Sequence, residues 1–389
     1  MASTHARDGG RLLQVGQPQE AVKSFQKGLA IDPDDVDCLL GLVRTHLSLG
    51  AARDAEAAAL RLLKVRPDHA EAQAHLAMLR AQAGDAEALE ALKTLAAAPT
   101  AGYFERFNLG GLLLDRGDLE GAKAAYASAL QVAPGSAHVH FELGRIHLQQ
   151  GAHAEAVTHF QKASEGAPQE SMPLLMLSRA HAATGGVGLA IQAATQALDL
   201  AQGGLRRAVL EDLFKLYLSA GSPEGAKRSA VELRKLDARN VNYLYMHGLA
   251  MMSAGTFADA KALFEEALAL SSDSWPARQA LAQVHLALNE RAQARQVLEA
   301  AVARAPTALE PVNDLVLVLL QDSDFARAKA LLEHALATHP KDAGLHLFMA
   351  MATLMSEPTL AIQHARQAQA LGEGTVKEQA AKLVEALGA

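Results

Sequence analysis

An all-α fold, a row of stacked antiparallel helix pairs, is what this sequence predicts, on three observations. A block of about 34 residues recurs along almost the whole chain, with a glycine near its middle and often a proline at its close. Half of the residues are hydrophobic but only 4% are aromatic, so alanine and leucine carry the apolar content. Small side chains let helices approach closely, which suits paired helices better than a sheet sandwich. The chain, at 389 residues, is also too long for one compact core. An array escapes that limit because each block touches only its neighbours.

The cleanest block is Ala137–Glu170. It reads as a helix, a glycine turn at Gly151, a second helix and a stop at Pro168. His140, Leu143, Gly144 and His147 mark its first helix, and Ala156, Phe160 and Ala163 its second. The other blocks follow in order. The first, Ala2–Asp35, turns at Gly16 and carries Ala21, Phe25, Gly28 and Pro33. Its first helix looks poor, with Asp8, Gly9 and Gly10 where apolar residues are expected. Each interior glycine costs roughly 1 kcal/mol relative to alanine, so a frayed polar cap is expected there. The second block is Val36–His69, with Leu39, Leu42, His46, Gly50, Ala55, Leu62 and Pro67. The third, Ala70–Gly102, drops a residue after Gly84, and its end, Ala96–Gly102, reads as a soft joint. The fourth, Tyr103–Ser136, returns to pattern with Leu109, Gly110, Gly117, Ala122, Tyr126 and Pro134.

The sixth block is Ser171–Gly204, after which Leu205 and Arg206 stand as two extra residues. The seventh to tenth are Arg207–Asn240, Val241–Ser274, Trp275–Ala308 and Leu309–Asp342, with Pro306 and Pro340 closing the last two. The eleventh, Ala343 to Gly374, is shortened, and Pro358 opens its second helix, where a missing N–H costs nothing. In Thr375–Ala389, Val376, Ala380, Leu383, Val384 and Leu387 share one helical face, with charged residues opposite. That amphipathic helix is the solvating cap a helical array needs. The expected organisation is therefore 2–102, 103–204, 207–374 and a capping helix over 375–389.

These marks resemble the tetratricopeptide repeat, a helix–turn–helix unit with the pattern W-x2-L-G-x2-Y, then A-x3-F, then P. The resemblance covers about eleven units. It implies an α-solenoid wound as a right-handed superhelix, with the first helices on a concave wall and the second on the convex back. It also implies a non-enzymatic scaffold or adaptor that holds a peptide or helix of a protein partner. The lysine/asparagine clamp of cochaperone members, which grips a C-terminal carboxylate, is missing: its columns hold Ala74 and Met78 before Asn108. The asparagine ladder of glycosyltransferase-linked arrays is missing too.

Bulk properties narrow the function further. The net charge of −7 argues against nucleic acid, which needs a basic stripe. The single cysteine, Cys38, excludes a disulfide framework. The N-terminal residues lack the apolar core of a signal peptide. The uncharged run Val241–Ala258 is in phase with the repeat and reads as a repeat helix, not a membrane span. The expected location is the cytoplasm, or the periplasm if a leader or anchor lies outside this sequence.

Catalytic signals fare poorly. His46, His147, His181 and His285 occupy a column that usually holds a core aromatic ring, so they read as structural. His138 and His140 diverge by about 200° on a helix and cannot share a metal. Gly221–Ser229 has a phosphate-loop flavour without the required spacing. Gly117–Lys123 repeats it at the same phase, so both read as turns. No cofactor or metal is expected, and no nucleophile with its base stands out.

In the resembling family the concave wall is formed by the second, fifth, ninth and twelfth residues of each first helix. In units four to six these columns yield Phe104, Phe107, His138, Phe141, Arg145, Met172, Leu175 and Arg179. Aromatic and arginine side chains are common interface anchors. Those eight are the expected partner-binding groove, with core packing of the rings as the competing reading. Units seven to ten turn polar in the same columns, from Glu211 to Asn313, and unit eleven turns apolar with Leu347, Phe348 and Met351. The alanine-rich, lysine-poor composition suggests a bacterial protein serving assembly or localisation of a pilus, secretion, polarity or other cell-surface machine. The alternative is a substrate-recruiting arm of a larger enzyme or regulator.

Overall fold

The computed structural model describes residues 2–305 and 308–388. Among them are 23 α-helices and no strand. They divide into two compact units, Met1–Leu200 and Ala201–Ala389. The stretch Ala96–Gly102 lies inside the first unit. Pro306 lies outside the described residues.

The first unit holds α1 (Ala2–Gln14), α2 (Pro18–Ile31), α3 (Val36–Ser48), α4 (Ala52–Val65), α5 (Ala70–Gln82), α6 (Ala86–Ala97), α7 (Tyr103–Asp115), α8 (Leu119–Val132), α9 (Ala137–Gln149), α10 (His153–Gly166), α11 (Ser171–Ala183) and α12 (Val187–Leu200). The second holds α13 (Gly203–Ser219), α14 (Pro223–Leu236), α15 (Val241–Ser253), α16 (Phe257–Leu270), α17 (Trp275–Ala287), α18 (Arg291–Arg304), α19 (Leu309–Gln321), α20 (Phe325–Thr338), α21 (Ala343–Thr353), α22 (Pro358–Leu371) and α23 (Gly374–Ala386). Within each unit every odd-numbered helix up to α21 packs against the even-numbered helix that follows it, each pair packs on the next, and α23 closes the row against α22.

Local chemistry sets the boundaries. Asp35, Asp118, Ser136 and Asp342 accept backbone N–H bonds at the start of their helices, satisfying donors that have no helical partner. Between all paired helices except α21 and α22 the chain reverses through one residue in the left-handed region, as at Gly151 with φ of 74°. There Gly151 N–H donates to Leu148 O at 3.1 Å and Ala152 N–H to His147 O at 2.9 Å, which satisfies the last carbonyls of α9. Three turns lack the glycine, and the one between α21 and α22 has no left-handed residue at all. In the other two Asn289 and Ser323 take its place at φ of 60° and 57°, which is why the ninth and tenth blocks show no central glycine. Leu205 and Arg206 do not form a linker. With no breaker between Gly204 and Arg207, helix propagates backwards and α13 reaches 17 residues.

The core of each pair is a fit of volumes. At the eighth residue of α1, α7, α9 and α15 stand Gly9, Gly110, Gly144 and Gly248. They face the eighth residue of the partner helix: Phe25, Tyr126, Phe160 and Phe264. A Cβ on any of these glycines would fall within 2.5–2.7 Å of the facing ring. The poor-looking α1 is explained in this way. Gly9 is buried and, with Gly41 of α3, accepts the Phe25 ring between two bare backbones. In the seventh block the bulk changes sides, with Phe214 on the first helix and Ala230 on the second, both buried in one cluster. Likewise Gly225, in the stretch with a phosphate-loop flavour, makes room for the Tyr217 ring.

The second unit carries a further repeated contact. The fifth residue of α16, α18 and α20 is a cation, and each reaches the acidic residue just before the next even-numbered helix. Lys261 meets Glu290 at 2.8 Å, Arg295 meets Asp324 at 2.9 Å and Lys329 meets Glu357 at 2.6 Å. Such solvent-accessible pairs each add little to stability, because water and salt screen them.

Candidate functional site

The first helices of the first unit present the richest surface. A cleft of about 790 Å³ opens over α3, α5, α7 and α9. Arg44 and Leu47 come from α3, His75, Met78 and Gln82 from α5, Tyr103, Phe104, Phe107 and Asn108 from α7, and His138 from α9. Two further hollows continue it. One of about 220 Å³ shares Phe107 and His138 and adds Phe141, Glu142, Glu170 and Met172. The other, of about 350 Å³, shares Arg44 and adds Ser3, Arg7 and Asp37.

A polar relay crosses three consecutive blocks at the floor of the cleft. Asn108 Nδ2 donates to His75 Nδ1 at 3.0 Å. With Nδ1 accepting, the His75 proton sits on Nε2, which donates to Glu71 Oε1 at 3.3 Å. Arg44 grips the same carboxylate side-on, Nε to Oε1 at 2.7 Å and Nη2 to Oε2 at 2.8 Å. Burial alone would push the Glu71 carboxyl up. The hydrogen bonds from His75 and Arg44 outweigh it and hold the group below its ordinary value. The Arg44 guanidinium carbon lies 4.8 Å from the Phe104 ring centroid, a cation–π contact.

The rings beneath form a continuous line. Tyr103 stacks on Phe107 with centroids 5.4 Å apart, and Phe107 meets Tyr126 at 5.6 Å. Phe104 and Phe107 are therefore half-buried, each with one part in this cluster and another on the cleft.

Of the eight residues expected in the groove, Phe104, Phe107 and His138 line the main cleft, and Phe107, His138, Phe141 and Met172 line the 220 Å³ hollow. Arg145 and Arg179 are exposed but line neither. Arg145 pairs instead with Glu142 at 2.9 Å. Leu175 is 1% exposed, and it offers no surface to a partner as the chain stands. Arg44, Glu71 and His75 escaped the sequence reading, and Met78 entered it only in a column of the missing clamp. Arg44 and Met78 are ninth residues and Glu71 a second residue of their helices, so the same columns read in units two and three point to them.

The histidines form a second kind of cluster. His140 Nε2 donates to Pro134 O at 3.1 Å, so its Nδ1 accepts from His159 Nδ1 at 3.0 Å. His346 repeats this with Pro340 O at 3.0 Å and His364 at 2.8 Å. In both cases the residues are fourth on the first helix and seventh on the second. His147 stacks on His159 with centroids 5.3 Å apart. Among the described residues no group of three or more metal-ligating side chains comes together, and no helix is long and apolar enough to cross a membrane.

Helix pairs of this length, turn and packing define a repeat-built interaction surface, and sequence comparison gives the class. Two tetratricopeptide repeat family models match, one over residues 12–83 and 251–316, the other over 107–171 and 211–274. Together they cover more than half of the chain, which belongs to the tetratricopeptide repeat family. Over 181 residues, 43% of the chain, it is 29% identical to the tetratricopeptide repeat and J domain-containing co-chaperone DNJ1 of Fusarium oxysporum f. sp. lycopersici. That match spans 33% of the co-chaperone's length. Among solved structures, yeast Tom70 aligns with 100% of this chain and 95% of its own at 15% identity and a TM-score of 0.47. YrrB, a TPR protein with an unusual peptide-binding site, aligns over 49% of this chain and 96% of its own at 18% identity and a TM-score of 0.44.

Proposed function

We propose that this chain is a non-enzymatic scaffold that holds an extended peptide or helix of a protein partner against the first helices of its first compact unit. The observation that carries this reading is the 790 Å³ cleft, where exposed aromatic edges, a methionine and an oriented arginine converge over the first helices of four successive blocks. Such surfaces anchor partners through large side chains at low entropic cost. The test is affinity capture with the wild type and with Phe107→Ala, each checked for its melting temperature. Loss of a retained protein with little change in melting temperature supports the groove. A large fall in melting temperature with the partner kept would make Phe107 a core ring and remove this reading.

The cellular setting is a narrower proposal, resting on composition alone: assembly or localisation of a bacterial cell-surface, pilus, secretion or polarity machine, in the cytoplasm or periplasm. One observation favours the alternative of a recruiting arm in a larger protein. The matched co-chaperone joins tetratricopeptide repeats to a J domain, and this chain aligns with only a third of it.

A further inference from the structure

We infer that the groove, on the reading that it holds a peptide, selects a segment with an internal acidic side chain next to a large apolar one, and that Arg44 is the acid's ligand. Three features of the first unit lead there.

The first is the state of Arg44. Its side-on grip on Glu71 engages Nε and Nη2 and leaves the Nη1 amino group for a further acceptor. Its side chain is 42% exposed, whereas that of Glu71 is 14% exposed and also bonded to His75. The fixed carboxylate thus stands behind the guanidinium and aims it, so little side-chain entropy remains to be lost when an acid arrives. Glu71, His75 and Asn108 are positioning residues for that donor.

The second is sign. Among the described residues that line the 790 Å³ cleft, none is acidic. Arg7 joins Arg44 in the hollow beyond, against one carboxylate, Asp37. At the other end the sign reverses, with Glu142 and Glu170 lining the 220 Å³ hollow. A segment acidic throughout would be repelled there. An acid at Arg44, an apolar residue over Phe104 and Met78, and a neutral or basic residue toward Glu142 match the groove along its length.

The third is that the path does not end at Arg44. The residue lines hollows on both of its sides, and the cleft runs on in the other direction through Phe107 and His138. A chain end needs a closed pocket, whereas a passing chain needs an open one. The acid is therefore a side chain within the segment and not a terminal carboxylate.

Three fluorescein-labelled peptides, measured by anisotropy on the full chain, test this. The first has blocked ends, two aspartates, a central leucine–phenylalanine pair and two lysines. The second replaces the aspartates by glutamine. The third places the apolar pair before a free C-terminal carboxylate and has no aspartate. The first should bind at least tenfold tighter than the other two. Arg44→Gln should bring it down to the glutamine peptide and leave that peptide unchanged. The double variant Arg44→Gln with Glu71→Gln removes both charges, so the same loss there, at an unchanged melting temperature, does not come from a buried carboxylate left unpaired. Equal binding of the first two peptides, or tighter binding of the third, overturns the inference while peptide binding stands. No binding of any of the three removes the groove reading on which it rests.

Discussion

A Cβ placed on Gly144 would come within 2.7 Å of the Phe160 ring. The contact is a division of one fixed volume between two facing helices. Adding to one side without subtracting from the other should overpack the pair. Gly144→Val is expected to cost about 1–3 kcal/mol, and Phe160→Ala about 3–5 kcal/mol, both measured by urea unfolding followed by circular dichroism. The exchange Gly144→Phe with Phe160→Ala copies the arrangement of Phe214 and Ala230. It should be more stable than the sum of its two parts predicts. Simple additivity would show that position, and not volume, sets the fit.

The turns at Asn289 and Ser323 hold non-glycine residues in the left-handed region. A Cβ is disfavoured there, and asparagine tolerates it better than serine. Ser323→Gly should raise stability by about 0.5–1 kcal/mol and Asn289→Gly by less. Thermal unfolding of the two variants checks the order. A loss of stability in Ser323→Gly would mean that its side chain makes a contact worth more than the strain.

Acid should loosen the histidine pairs. Burial, then the neighbouring His140, His147 and Lys162, push His159 down to about 4, and burial also lowers His140 and His364. A histidine whose folded value is depressed leaves stability intact above its ordinary value near 6.5. Below that the unfolded chain takes up the proton first, so stability falls until pH about 4. The part due to His159 is on the order of 1–3 kcal/mol. His159→Gln should flatten the fall in melting temperature between pH 6.5 and 4, and an unchanged slope would contradict the assignment.

Phe107 and Phe160 should part company when truncated. Phe160 is fully buried, whereas Phe107 is shared between the Tyr103–Tyr126 cluster and the cleft. Phe107→Ala should cost clearly less than the roughly 3–5 kcal/mol of a buried ring. Leu175→Ala should behave the other way, lowering stability by about 2–5 kcal/mol with no direct effect on partner affinity. Equilibrium unfolding of the three variants side by side decides it.

The periodic part of this molecule was legible because one local rule is repeated. Leu143, Ala156 and Phe160 announce a helix pair without knowledge of any distant residue. The cleft was legible only in part. Reading inner columns named Phe104, Phe107, His138, Phe141 and Met172, which line the cleft or the hollow beside it. It missed the Arg44–Glu71–His75–Asn108 relay because the links that join its blocks, Arg44 to Glu71 and Asn108 to His75, span 27 and 33 positions and occur once. It also weighed His140 against His138 on its own helix, whereas the true neighbour, His159, faces it from the next. Leu175 misled because neighbouring helices bury it, as they bury Ala74 and Leu347 at the same fifth position, a tertiary effect that no column of one helix records.

The row of cation–acid contacts at Lys261, Arg295 and Lys329 gives the second unit a mechanical asymmetry. Each contact bridges one even-numbered helix to the next, and none of the three ties odd-numbered helices. Flexing that spreads the even-numbered row stretches three short ionic ties in series, whereas flexing that closes it loads hydrogen bonds from neutral donors in the odd-numbered row, Gln279 to Asp314 and Tyr243 to Glu211. Under load this half of the chain should behave like a strap hinge, yielding more readily in one sense of bending than in the other. Added salt, by screening partly exposed charges, should slacken the stiff direction first.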